Sequence, residues 1–342
     1  VARTPIVQEN NGDDKQRDAA LRPKWLREVI GQQAVVRRLQ IAVNACKKRK
    51  EPLGHILFDG PPGLGKTTFA TVLPHELGTS IQLTSGPALT KPADLLPFLT
   101  NAEEGSVLFI DEIHRMPRVV EEFIYPAMED FRIDIVLGEG MNARTLSMPL
   151  KHFTLIGATT RSGMLSGPMR DRFKMHEHLE FYTIEELARI VTVNAAKLDV
   201  PIEDDAALEL AKRSRGTPRV ANARLWWTRS YTTSEADGRI TLPIARAALD
   251  MAEVDRDGLD KQDRKYLETL IGVFGGGPTG VEALAATMNI AADTLSDEIE
   301  PYLLREQFIV RSPRGRVATA RAFELLGKVP PRDDSKSPTL FD

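Results

Sequence analysis

Gly60-Pro-Pro-Gly-Leu-Gly65-Lys66-Thr67 sets glycines, a lysine and a threonine at the spacing of a phosphate-binding loop. Glycines let backbone N–H groups close around an anion, and a following helix N-terminus adds partial positive charge. Lys66 would reach the β- and γ-phosphates of a nucleoside triphosphate, and Thr67 would ligate Mg2+. Downstream, Leu108-Phe-Ile-Asp111-Glu112 is an apolar run ending in two acids. Asp111 would hold Mg2+, usually through water, while Glu112 would orient and activate the attacking water. A glycine-rich turn or an exposed acidic turn explains either segment alone, but their occurrence in one chain points to ATP hydrolysis. Phosphoryl transfer builds charge on the γ-phosphate, so further donors are needed. Thr159-Thr160 closes a third apolar run and can bond the γ-phosphate or the water. Arg170-Asp171-Arg172-Phe173 and Arg215-Gly-Thr-Pro-Arg219 supply arginines, which spacing alone does not separate from solvated surface residues.

These groups need elements to hold them. His55–Asp59, Ser106–Asp111 and Phe153–Ala158 read as short buried strands alternating with helices, the first helix running from Lys66 to about Leu77. That alternation predicts a parallel α/β sheet. Between Phe131 and Leu150 an alternating segment reads as a hairpin, with Leu146, Met148 and Leu150 as its apolar positions and Gly138-Glu-Gly140 in or beside its turn. After Tyr182 the pattern changes. Thr183 with Glu186 forms a capping box, and only helices are expected as far as about Val254. From Asp255 the elements shorten. Val281–Met288 and Asp293–Leu304 read as helices, and Phe308–Val310 with Arg316–Thr319 as a two-stranded wing. The expected organisation is an α/β P-loop large domain over 1–182 with a flexible 1–20, an all-α small domain over 183–254, a winged-helix head over 255–328, and a disordered tail over 329–342.

The chain has 342 residues and a formal net charge of −3, so bulk electrostatics announce no nucleic-acid binder. Any DNA contact must be local. In the head, acids outnumber bases, yet Arg305, Arg311, Arg314, Arg316 and Arg321 cluster with Glu306 as the one opposing acid assigned to them. A turn over Arg311–Arg316 would point Arg311, Arg314 and Arg316 outward, where they could meet phosphates of a nucleic acid. The single cysteine, Cys46, excludes an intramolecular disulfide, makes a cysteine-based zinc site implausible, and falls in an apolar helical pattern that suits a buried thiol. No apolar run is long enough to span a membrane, and Gln8–Arg17 carries no apolar signal core, so a cytoplasmic location is expected.

Leu21-Arg22-Pro23-Lys24, the Gly60–Thr68 loop, Asp111-Glu-Ile-His-Arg115, Tyr125-Pro-Ala-Met-Glu-Asp130, Phe153–Arg161, Arg215–Arg219, Gly275-Gly-Gly-Pro278 and Pro313-Arg-Gly-Arg316 run in order over about residues 20–325. In these stretches the chain resembles the RuvB family of AAA+ ATPases. The resemblance implies an AAA+ large domain, a helical lid and a winged-helix DNA-binding head. It also implies a homohexameric ring on duplex DNA that drives branch migration of four-way junctions with the RuvA tetramer, alongside the RuvC nuclease. By position, Leu21 and Arg22 would meet the adenine end, and Gly63, Lys66, Thr67 and Thr68 the phosphates and Mg2+. Tyr182 would lie near the base, Arg219 would be the lid's sensor arginine, and Arg172 would be the arginine finger for a neighbouring subunit. Glu129-Asp130-Phe131 would lie near nucleotide, or else simply end a helix. The hairpin would dock on RuvA through its apolar face, against the alternative that this face is core.

Departures from the family include Ala292 where an arginine is frequent, Trp226-Trp227 in place of basic residues, Phe173–His176 in place of a Phe-Gly turn, and Lys151-His152 in place of a proline pair. Rival readings are a clamp-loader or initiator type of AAA+ ATPase, a protein-remodelling ATPase, and a nucleotide-dependent switch that barely hydrolyses ATP. No aromatic pore motif follows Asp94–Leu99, and intact Glu112 and Arg172 argue against the switch.

Overall fold

The computed structural model describes residues 20–137 and 144–330. Gly138-Glu-Gly140, the N-terminal segment up to residue 19 and the tail from residue 331 lie outside them. The chain divides into two compact units: one takes the chain up to Pro201 with Gly216–Ala223, the other Ile202–Arg215 with the chain from Arg224 onward.

The first unit opens on α1 (Gln33–Arg49), whose Val35, Leu39, Val43 and Cys46 are buried at helical spacing. Cys46 is thus a core thiol, bonded by Sγ to Pro52 O and pushed up in pKa by burial. Then follow β1 (Ile56–Asp59), α2 (Lys66–Leu77), β2 (Ile81–Ser85), α3 (Pro92–Thr100), β3 (Ser106–Asp111) and α4 (Arg118–Glu129). A hairpin of β4 (Arg132–Leu137) and β5 (Arg144–Pro149) precedes β6 (Phe153–Thr159), α5 (Gly167–Asp171), β7 (Met175–His178) and α6 (Ile184–Lys197). Five strands form one sheet in the order β2-β3-β6-β1-β7, all parallel. Parallel strands are covered on both faces, which explains the continuous apolar runs: every residue of β6 is buried.

This order positions the site. β6 sits between β1 and β3, with Asp59 opposite Thr159 and Ile110 opposite Gly157. The phosphate loop, the Asp111-Glu112 pair and Thr159-Thr160 therefore all leave the sheet at the carboxyl ends of adjacent strands, where open α/β sheets bind ligands.

The hairpin pairs Ile133 with Met148 and Ile135 with Leu146. Its apolar face is graded. Ile133 is fully buried, Ile135, Met148 and Leu150 pack partly against the large core, and Leu146 is 51% exposed. The expectation that Leu146, Met148 and Leu150 together form a free face is corrected: Leu146 alone is uncovered, because the base of the hairpin lies on Phe153 and the α4 core.

The second unit holds α7 (Asp204–Lys212), most of α8 (Pro218–Glu235), α9 (Leu242–Met251), α10 (Lys261–Gly272) and α11 (Val281–Met288). Besides helices it has one isolated parallel bridge, Ile202 with Ile240, which the helical pattern concealed. The expected helix over Asp293–Leu304 is one continuous helical run, Ala292–Thr294 leading through a π-helical stretch at Leu295–Ile299 into α12 (Glu300–Arg305). Pro301 is the physical reason for the π-helical stretch: it has no N–H to return to the preceding turn, so the ladder shifts register. The wing is β8 (Ile309–Ser312) paired antiparallel with β9 (Gly315–Ala318), and α13 (Ala320–Leu325) closes the unit. Tyr266, Leu267, Leu284, Leu303, Phe308 and Phe323 form its core.

Candidate functional site

The phosphate loop needs its glycines. Gly60 has φ 131°, and a Cβ there would lie 2.5 Å from Leu179 O, so no side chain fits. Lys66, the first residue of α2 and only 7% exposed, donates through Nζ to Gly60 O at 2.7 Å and Pro61 O at 2.9 Å. Burial lowers its pKa, while Glu112, Asp111 and Asp59 pull it back up. The nearby acids thus favour the charged form of Lys66, whose Nζ rests on the loop carbonyls and can pair with an anion entering the loop. Thr67 and Thr68 follow on the first turn of α2.

Across the strand ends, Asp111 Oδ1 accepts from Glu112 N at 2.9 Å. Glu112 itself is in the left-handed region, φ 47°. This turns its carboxylate toward β6, where Oε2 lies 3.4 Å from Thr160 Oγ1 and 3.4 Å from His114 Nδ1. His114 also reaches Thr159 Oγ1 at 2.9 Å. Gly86, ahead of α3, backs this corner: a Cβ there would fall 2.3 Å from Glu112 O. Glu112, Thr159 and Thr160 are thus brought together, with His114 as a member that motif spacing did not flag. Its place within Asp111–Arg115 was the available signal.

Leu21, Arg22, Gly65, Thr68 and Tyr182 line one largely apolar cavity with Ile30, Phe69 and Pro218. Tyr182 is buried, donates to Leu64 O at 3.2 Å, and has its hydroxyl pKa raised by that burial. Asn194 and Asn222, bonded amide to amide at 2.8 Å, also border the cavity and went unnoticed in the sequence because two polar residues in helices carry no local signature. Arg219 N donates to Gly63 O at 3.3 Å, placing the start of α8 against the phosphate loop.

Arg172 stands in a separate cluster. It pairs with Glu129 at 3.1 Å and stacks on Tyr125, and it does not border the cavity. The Glu129-Asp130-Phe131 trio is divided: Glu129 faces Arg172, Asp130 pairs with Arg132 at 3.2 Å, and Phe131 packs edge-on to His152 and Phe153.

The wing arginines need correction. Arg311 and Arg316 do not simply point outward. Both converge on Glu300, which is 0% exposed, at 2.5 and 2.8 Å, and Tyr266 donates to the same carboxylate at 3.1 Å. The pi-turn and α12 carry Glu300 under the wing, so Glu306 is not the only opposing acid. Arg314 remains exposed at the tip between β8 and β9.

Three family models of one family match successive parts of the chain. Residues 21–179 match the family described as the Holliday junction DNA helicase RuvB P-loop domain, residues 182–255 the RuvB AAA lid domain, and residues 256–327 the RuvB C-terminal winged helix domain. The Holliday junction branch migration complex subunit RuvB of Rhodopirellula baltica is 58% identical over 314 residues, covering 92% of this chain and 86% of that protein. The solved RuvB Holliday junction branch migration motor of Thermotoga maritima is 46% identical with a TM-score of 0.84, covering 91% of this chain and 100% of that one. A mutant of the same Thermotoga protein gives 47% identity and a TM-score of 0.85 over 91% and 100% of the two chains.

Proposed function

The chain belongs to the RuvB family, and from that premise we propose that it is an ATP-driven motor that moves the branch point of Holliday junctions. The observation that carries the reading is the convergence of Lys66, Asp111, Glu112 and Thr160 at the carboxyl ends of β1, β3 and β6, with Arg219 on the phosphate loop. In this reading Lys66 and the loop backbone bind the phosphates, and Leu21, Arg22 and Tyr182 enclose the base. Glu112 takes a proton from the attacking water while Thr159 and Thr160 fix its position. Thr67 and Asp111 are hard oxygen donors that would hold Mg2+, which when bound would neutralise phosphate charge. Arg219 serves its own subunit's site, and Arg172 serves a neighbour's.

We further infer a homohexamer on duplex DNA, engaged with a RuvA tetramer through the tip of the β4–β5 hairpin and working beside RuvC in recombination and repair. Domains over 1–182, 183–254 and 255–328 suit this division of labour. A clamp-loader or initiator role finds no support in the lid and head matches, which are those of RuvB. The test is branch migration of a synthetic four-way junction with and without RuvA and ATP, with Lys66→Ala and Glu112→Gln as controls. Lys66→Ala is expected to lose nucleotide binding, and Glu112→Gln to bind ATP but hydrolyse it very slowly. Junction movement without ATP, or turnover by Glu112→Gln equal to the parent, overturns the reading.

A further inference from the structure

We propose that Tyr125, anchored by Glu121 and Ser166, is a positioning residue that holds Arg172 pre-set as the finger for a neighbouring copy's γ-phosphate. The inference rests on the trans role given to Arg172 above. An arginine side chain is long and flexible, and a donor stabilises developing charge best when it is already in place. Arg172 Cζ lies 4.0 Å from the centre of the Tyr125 ring, well within the range of a cation held on an aromatic face. One terminal nitrogen donates to Pro168 O at 2.7 Å and the other to Glu129 at 3.1 Å. Nε is buried, with no hydrogen-bond partner among the described residues. A guanidinium has five N–H groups, so each terminal nitrogen keeps a second one for an incoming anion. Only 19% of the side chain is exposed.

The ring is itself fixed. Tyr125 donates to Glu121 Oε1 at 2.6 Å, one helical turn back on α4, and lies 3.1 Å from Ser166 Oγ. Ser166 also bonds Glu121 and accepts from Met169 N at 3.2 Å. The serine that starts the segment carrying Arg172 is therefore tied to the same carboxylate that holds the ring under Arg172. The two ends of this loop cannot drift apart independently. Glu129, by contrast, is 55% exposed. An exposed ion pair is weak, so Glu129 is a partner that a phosphate can displace while the stack remains.

The experiment measures steady-state ATPase for Tyr125→Leu and Tyr125→Phe, alone and mixed with Lys66→Ala subunits, with Arg172→Ala mixed likewise as control. Misplacing a catalytic group by about 1 Å costs roughly a hundredfold, so Tyr125→Leu is expected to lose about ten- to a hundredfold in kcat with little change in KM. Tyr125→Phe keeps the ring face but loses the hydroxyl anchor to Glu121 and Ser166, so its kcat is expected to fall between those of Tyr125→Leu and the parent. Mixed with Lys66→Ala, Tyr125→Leu should be rescued as Arg172→Ala is, because an intact loop then meets an intact finger. If Arg172→Ala is rescued and Tyr125→Leu is not, the positioning role is wrong while the trans finger stands. If Arg172→Ala is not rescued in mixed rings shown to form, the trans reading fails and the proposal with it. Should Tyr125→Leu lose cooperative thermal unfolding, Tyr125→Met, bulky but without a ring face, goes through the same assay, and full activity there also overturns the proposal.

Discussion

His55 shows how one buried side chain carries a pH signature. Leu155 N donates to its Nδ1 at 2.8 Å, so the ring proton must sit on Nε2, which donates to Met128 O at 2.9 Å. Both ring nitrogens are spent in the neutral form, and burial holds the pKa below the usual imidazole value. The unfolded chain takes up a proton near pH 6.5 that the fold resists. Stability from this group is therefore complete above that pH and falls as pH drops below it. Thermal melts at pH 7.5 and 5.5 check this. His55→Gln should cost about 1–3 kcal/mol at neutral pH and should show a smaller drop in Tm between the two pH values than the parent. An equal drop would show that other groups set the acid sensitivity.

At the scale of the element, the wing and the hairpin each hold two roles in a few residues. Glu300 is buried under two arginines, and removing the partners of a buried charge costs about 3–5 kcal/mol. Arg311→Ala with Arg316→Ala is therefore expected to destabilise the second unit, and adding Glu300→Gln should restore part of the loss, as chemical denaturation will measure. The clean probe of DNA contact is Arg314→Ala: the slope of log K against log salt should shrink by about 0.9, equally across duplex sequences and with folding intact. An unchanged slope would move the DNA track away from the wing tip. In the β4–β5 hairpin, Leu146→Ser should change stability by no more than about 0.5 kcal/mol yet lower RuvA-stimulated branch migration. Met148→Ser, which opens a contact with the core, should cost about 1–3 kcal/mol. Equal destabilisation by both would make the whole hairpin face core.

For the whole molecule, placement matters more than bulk properties: Arg172 is held in a cluster with Tyr125 and Glu129, and its proposed role turns on which subunit's nucleotide it serves. Arg172→Ala and Lys66→Ala subunits, each expected to be inactive alone, should together regain part of the ATPase at mixed interfaces. A linear sum of two inactive preparations would confine each site to one chain. The net charge of −3 makes the same point for DNA: the chain as a whole does not attract phosphate, so binding must come from a few placed arginines and be steeply salt-dependent.

The phosphate loop, α2 from Lys66 to Leu77, the acid-tipped strand and the winged hairpin were legible in the sequence, because each depends on neighbours within a few residues: glycine backbone freedom, apolar periodicity, a strand's length. The matching of motifs in order carried the rest of the family reading. What the sequence could not supply was pairing across distance. Glu300 meets Arg311 and Arg316 from 11 and 16 residues away, and only the turn at Glu306–Gln307, between α12 and β8, lays the wing over it. Met148 and Leu146 have the same chemistry and share one face by alternation, yet one rests on the core and the other does not. The Tyr125–Arg172 stack spans 47 residues by sequence number, and the His114 contact with Thr159 spans 45. Periodicity and motif spacing describe a chain's own line, whereas burial and charge pairing are set by which lines the sheet order lays side by side.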